Sequence, residues 1–168
     1  MKAIFSGKSL FSLVAPVFLF LSFTIVTDKA NFSGEWKLNE GKSELGEFGS
    51  RFTATAIKVE QKDDAMTITR TTPGFNGGDP VTSSMTVTFD GKESESTGFG
   101  NSKRKSTAKW SDDGQTLTIN TVSTFERNGQ TSEFKSTETW TTKDGSLSIT
   151  TVSSSPRGEN TTKAVYTK

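Results

Sequence analysis

The chain has 168 residues with no cysteine and no histidine, which excludes disulfide frameworks, thiolate nucleophiles, imidazole metal sites and Ser-His-Asp triads. Lysine and arginine number 20 against 19 acidic residues, so a net charge of +1 announces neither nucleic acid nor an acidic membrane surface as partner. Only 30% of residues are hydrophobic while serine and threonine supply roughly 49, a composition suited to a thin-cored, threonine-rich β protein and unsuited to a large helical core.

Residues 1–27 open with Lys2 and Lys8 and continue through an apolar run from Ser9 to Val26, before polarity returns at Thr27, Asp28 and Lys29. A basic segment followed by an apolar one predicts a signal peptide, cleaved somewhere between residues 24 and 30. An uncleaved anchor is the weaker alternative, because the run is near the minimum for a bilayer span and contains Pro16. The mature chain is then expected outside the cytoplasm, secreted or periplasmic, with residues 31–168 as a single domain and no stable membrane span after processing.

From Asn31 onward, period-2 runs alternate with turn residues, and no stretch shows a period of 3.6. The predicted strands are 31–39, 52–62, 65–72, 81–90, 92–97, 103–111, 115–127, 130–143, 146–155 and 159–167. The fold class is therefore all-β, a ten-stranded antiparallel up-and-down meander.

Two-residue turns fix which residues face each other. Asn128-Gly129 places Ser123 opposite Phe134, Thr121 opposite Ser136, Ile119 opposite Glu138 and Leu117 opposite Trp140. Asp144-Gly145 places Trp140 opposite Ile149, Asp113-Gly114 places Trp110 opposite Leu117, and Asp63-Asp64 places Gln61 opposite Met66. With Arg157-Gly158 as the last turn, Ile149 faces Tyr166 and Thr151 faces Ala164. All five turns give one consistent apolar face. An internal duplication agrees: Ser106 to Ser123 recurs as Ser136 to Ser153 with about eight identities in 18 positions, spanning one hairpin each time.

Alternate connections are short and acidic (Asp63-Asp64, Asp90-Gly91, Asp113-Gly114, Asp144-Gly145), while 40–51, 73–80 and 98–102 are longer and glycine-rich. A closed meander removes exposed edges, and ten strands enclose more space than small side chains fill. The expectation is a barrel with a tight floor and a looser mouth.

The first strand, Phe32-Ser-Gly34-Glu-Trp36-Lys-Leu38, carries the G-x-W that opens lipocalins, and F-x-G-x-W-K-L resembles intracellular lipid-binding proteins in particular. The resemblance implies a lipocalin-like, calycin-like barrel and, more weakly, small-molecule binding. Two features depart from it. The helix-turn-helix lid between the first two strands is not expected to fit into about a dozen residues. The Arg-x-Tyr of the last strand is missing, since Lys163 and Tyr166 are three apart and face opposite ways, so fatty-acid binding is not carried over to them. The lack of histidine argues against haem-binding ten-stranded relatives.

The inner face reads as layers. Trp36, Trp110, Leu117, Trp140, Ile149 and Tyr166 form a floor, joined by Met66 and Phe89. Above them Ala108, Ile119, Glu138, Thr151 and Ala164 give way to Ser106, Thr121, Ser136, Ser153 and Thr162, small and polar groups that leave a hollow. Glu138 lies between Phe134 and Trp140 on the same face, and a buried carboxylate needs a partner. Arg70 and Arg104 are both in phase to supply one. An internal ion pair without ligand, a polar contact to a bound molecule, and a bulge turning Glu138 outward all remain open. Phe48, Phe75 and Phe99, each among glycines in a mouth loop, form either an apolar portal or a lid folded inward. Lys103, Arg104 and Lys105 beside them either steer an anion or form a solvated charge run.

The expected function is binding of a small, partly apolar ligand, with Glu138, Thr121, Ser136, Ser123, Arg70 and Arg104 as cavity contacts and Phe48, Phe75 and Phe99 as portal. The alternative is a structural or interaction module of the cell envelope that docks a partner through its Phe-bearing rim. No nucleophile-base pair, metal cluster or phosphate loop is visible, so neither enzymatic activity nor a metal or cofactor is expected.

Overall fold

The computed structural model describes residues 28–98, 102–127, 129–155 and 158–168, and no helix among them is long and apolar enough to cross a membrane. The predicted signal segment 1–27 and Phe99 lie outside the described residues, as do the side chains of Phe48 and Phe75. Ten strands follow in chain order: β1 (Gly34–Leu38), β2 (Ala56–Gln61), β3 (Ala65–Thr72), β4 (Val81–Thr88), β5 (Ser94–Thr97), β6 (Lys103–Trp110), β7 (Leu117–Arg127), β8 (Gln130–Lys143), β9 (Ser146–Ser155) and β10 (Gly158–Thr167). They form one antiparallel sheet in the order β4-β3-β2-β1-β10-β9-β8-β7-β6-β5, with the first strand paired to the last.

The sheet curls into a barrel, but the closure expected from sequence is incomplete. β4 and β5 lie side by side without a ladder between them, joined at one point where the Thr88 amide donates to Ser94 Oγ at 3.4 Å. β5 is only four residues long, Ser94 to Thr97, and its ladder runs along the edge toward β6.

Four of the five turn registers read from sequence are those observed, including Ile119 opposite Glu138 and Leu117 opposite Trp140. Asp144 and Gly145 have φ of 51° and 72°, the paired left-handed conformation of the tight hairpin turn that matches strand twist. The fifth register is corrected. Ser155 faces Gly158, so Ile149 faces Ala164 and Tyr166 faces Leu147. The predicted register would have set Pro156 opposite Glu159 within the ladder, where a proline has no amide hydrogen to give. The shift moves each partner by two residues and so keeps every side chain on its expected face.

A second correction concerns the β1–β2 connection, where the sequence predicts no helix. Glu40–Lys42 form a 3-10 turn and Gly46–Phe52 a short helix, α1. Residues 52–55, read as strand, belong to this helix and its exit. Backbone bonds in both directions between Glu44 and Lys163 strap the segment to β10. Thr53 closes α1 by donating both its amide (2.9 Å) and its hydroxyl (2.7 Å) to the Gly49 carbonyl. A Cβ on Gly49 would stand 3.1 Å from Thr162 Cγ2, so the helix rests on the inward-facing threonine near the mouth end of β10.

The floor is packed around a residue that the sequence reading left as an ordinary strand position. Phe32 is fully buried, stacked on Trp110 at 5.5 Å between ring centroids and edge-on to Trp140 at 5.8 Å. The segment before β1 crosses the floor end and is stitched there: Ala30 N donates to Gly114 O, Phe32 N to Gln61 Oε1, Gln61 Nε2 to Ala30 O, and Trp36 Nε1 to Phe32 O. Met66, Ile68, Val87, Leu117, Ile119, Trp140 and Leu147 complete a core in which each is at most 1% exposed. Burying a large apolar side chain there contributes about 1.5 to 3 kcal/mol.

Candidate functional site

The period of two puts Arg70 of β3 on the same face as Met66 and Ile68, and Glu138 of β8 on the same face as Trp140. Closing the sheet brings these strands across the barrel from each other. Arg70 Nη2 donates to Glu138 Oε2 at 2.6 Å, and Trp140 Nε1 donates to the same oxygen at 2.9 Å. The Arg70 guanidinium lies 5.6 Å from the Trp140 ring centroid. The carboxylate thus has a charge partner and an indole donor, which is what burial of an ionised group requires.

Of the other predicted cavity residues, Thr121 and Ser136 face each other across β7 and β8, and the Thr121 hydroxyl is 2.8 Å from Ser106 Oγ. Ser123 stands opposite Arg104 on β6. Arg104 is half-buried and belongs to the same inner face, yet the pair with Glu138 went to Arg70. Burial pushes the Arg104 pKa below its ordinary value, the nearby Arg70 charge adds to that, and Glu138 opposes it. Among the predicted floor residues Trp36, Leu117, Trp140, Ile149 and Tyr166 are buried, while Trp110 is half-buried.

The mouth end carries apolar groups besides the three predicted portal phenylalanines. Phe125 and Phe134 meet edge to face at 5.4 Å near the tip of the β7–β8 hairpin. Phe52 at the end of α1 is 72% exposed. The phase of the hairpin already put both phenylalanines of the first pair inward; nothing local marked Phe52. Two shallow outer grooves lie at the floor end, lined by Lys109, Trp110 and Thr118 and by Lys29, Asp63 and Phe89 respectively, and neither includes the Arg70 and Glu138 pair.

Tyr166 reports on this interior. Its hydroxyl donates to the Ala54 carbonyl at 3.1 Å, and burial pushes its pKa up to about 12, with Arg70 pulling it down and Glu138 pushing it up. The folded state holds the phenol proton more tightly than the unfolded chain, whose pKa is about 10. The contribution to stability is therefore complete below about pH 10 and is lost as pH rises toward about 12. As the chain has a single tyrosine, tyrosinate absorbance measures this group alone. The expected midpoint lies well above the unfolded value, and a titration near pH 10 in folded protein would show Tyr166 to be solvated.

No protein-family model matches the chain, and no curated protein does. Among solved structures, the crystal structure of zebrafish ileal bile acid-binding protein complexed with cholic acid is similar, with a TM-score of 0.52 and 21% identity over 82% of this chain and 98% of that one. The likeness establishes the fold: a nearly closed, ten-stranded antiparallel barrel.

Proposed function

We propose that this chain is a binding barrel that takes a small, partly apolar molecule into the space above its tryptophan floor, outside the cytoplasm and without transforming it. One observation carries the reading. The side chains of Arg70 and Glu138 point inward at middle height, yet remain 19% and 16% exposed, while Trp140, next below Glu138 on the same face, is fully buried. Solvent contact at that depth requires open space above the floor, and the space is lined by hydroxyls, an ion pair and aromatic edges, the mixture suited to an amphipathic guest. The similar barrel that holds cholic acid supports the reading.

Titration with cholic acid, neutral sterols and alkyl chains, followed by tryptophan emission, tests the proposal. A guest that disturbs the Glu138 pair also disturbs the Trp140 indole hydrogen bond, so a saturable emission change is expected. A folded protein that responds to none of them would count against a binding barrel.

The extracytoplasmic part draws on the basic and apolar character of residues 1–27 and on the built-in residues that follow. Asp28 O accepts from Gln115 Nε2 at 3.1 Å, and Lys29 Nζ lies 5.3 Å from the centroid of the Phe89 ring. A cut before Asp28 preserves these contacts, whereas a cut after Ala30 removes the bonds that Ala30 makes with the Gly114 carbonyl and Gln61 Nε2. The N-terminal sequence of protein recovered from medium or periplasm decides this; a full-length chain retained in the cytoplasm would contradict it.

Exposure of Phe52 and Phe134 favours a second reading, docking of a protein or envelope partner on the mouth. In that case Phe52→Ser combined with Phe134→Ser abolishes capture of the partner.

A further inference from the structure

We propose that an outer groove at the floor end of the barrel binds a quaternary ammonium group, with Lys29 as its built-in competitor. The groove opens on the outside, apart from the space above the floor. Phe89 and Trp110 meet there at 5.4 Å between ring centroids with 67° between their planes, so the two rings form a corner. Lys29 Nζ lies over both of them, 5.3 Å from the Phe89 centroid and 5.8 Å from that of Trp110. A positive charge held over aromatic faces is the arrangement by which proteins recognise organic cations. The corner is fixed from behind: Trp110 is stacked on the fully buried Phe32, and the Phe89 amide donates to the Asp64 carbonyl at 2.8 Å.

The charge around the corner is complementary. Lys29, Asp63, Asp64, Thr88, Phe89 and Asp90 line the groove. Asp90 is satisfied locally, by Lys92 Nζ at 2.8 Å and by the Thr88 hydroxyl at 2.7 Å. Asp63 and Asp64 make no ion pair and no side-chain hydrogen bond among the described residues, and Lys29 makes no ion pair there either. Nor do the carboxylates converge as metal ligands would, since the described residues hold no acidic group suited to a metal ion. Dispersed negative charge beside two ring faces suits a large cation that donates no hydrogen bonds. A primary ammonium gives up hydrogen bonds to water when it settles on a ring, whereas a quaternary one has none to lose and gains contact through each methyl group. Lys29 competes because its backbone is pinned on both sides, by Asp28 O with Gln115 Nε2 and by Ala30 N with Gly114 O, which keeps its ammonium close to the rings. It also lies within the predicted cleavage window, so a cut before Asp28 leaves the groove capped and a cut after Ala30 leaves it open.

The test titrates protein that retains Lys29 with choline and with its uncharged isostere 3,3-dimethylbutan-1-ol, read by the indole N–H resonance of Trp110. Choline is expected to bind about tenfold more tightly than the isostere. Lys29→Ala should tighten choline about fivefold by freeing the corner, and Phe89→Leu should weaken it about tenfold in either background. Asp63→Asn combined with Asp64→Asn, both exposed turn positions, should lower choline affinity about threefold and leave the isostere unchanged. Phosphatidylcholine vesicles that bind and are released by choline identify a lipid headgroup as the source of the cation, while choline binding without vesicle binding identifies a free solute; either supports the site. Equal affinity for choline and the isostere, choline binding indifferent to Lys29→Ala, or no response of Trp110 in folded Lys29→Ala protein overturns the proposal.

Discussion

Replacing Phe32 by alanine is expected to lower stability by about 4 kcal/mol and the thermal midpoint by about 10 °C. Phe32 is fully buried with Trp110 stacked on one side and Trp140 edge-on at the other, so truncation removes both aromatic contacts at once. The site has little means of collapsing into the space left behind. The backbone on either side is held by the Gln61 side chain and by Trp36 Nε1, and those bonds fix where the ring was. Urea unfolding followed by tryptophan emission measures the loss. A cost under about 1 kcal/mol would mean that the segment before β1 is an appendage and that the barrel is complete without it.

The second large effect concerns the ion pair. Glu138→Gln is expected to cost about 2 kcal/mol, less than for a fully buried pair because solvent reaches both partners. Glutamine keeps an oxygen for Trp140 Nε1, so the loss isolates the charge and leaves Arg70 and Arg104 facing each other without an anion between them. The double variant Arg70→Met, Glu138→Gln should return to within about 1 kcal/mol of the parent, since removing both charges also removes their desolvation cost while glutamine keeps an acceptor for Trp140 Nε1. A double variant as unstable as the single one would show that the pair acts through packing rather than charge.

Much of this geometry was legible because tight turns convert sequence position into spatial pairing. The Asn-Gly and Asp-Gly turns aligned Trp110, Leu117, Trp140 and Ile149 across four strands, and the phase alone put Arg70, Arg104 and Glu138 on one face. What phase does not contain is distance across a closed sheet. Arg70 and Glu138 are 68 positions apart, and only the curvature of the barrel decides that Arg70 reaches the carboxylate before Arg104 does. The floor plug was hidden for a related reason: Phe32 reads as one more alternating residue, and its burial depends on Gly114 and Gln61, from other hairpins. Helix α1 left no trace because seven residues with two glycines and no side-chain cap have no apolar stripe to detect. Its helical form comes from the strap on Lys163 and the seat on Thr162.

The gap between β4 and β5 gives the barrel one place where its circumference can change without rupturing a row of backbone hydrogen bonds. The other nine neighbouring pairs all carry backbone ladders, shortest between β1 and β10 where only Lys37 opposite Thr167 and Leu38 opposite Tyr166 are paired, so a bulky guest that forces the walls apart meets least backbone resistance between β4 and β5. Swelling should therefore be local, with Ser94 to Thr97 and the facing edge of Val81 to Thr88 moving as a hinged flap against a rigid remainder. The same two edges, unlaced but turned toward each other, are also shielded from recruiting strands of other molecules, and the charged neighbours Glu93, Glu95 and Lys105 reinforce that protection.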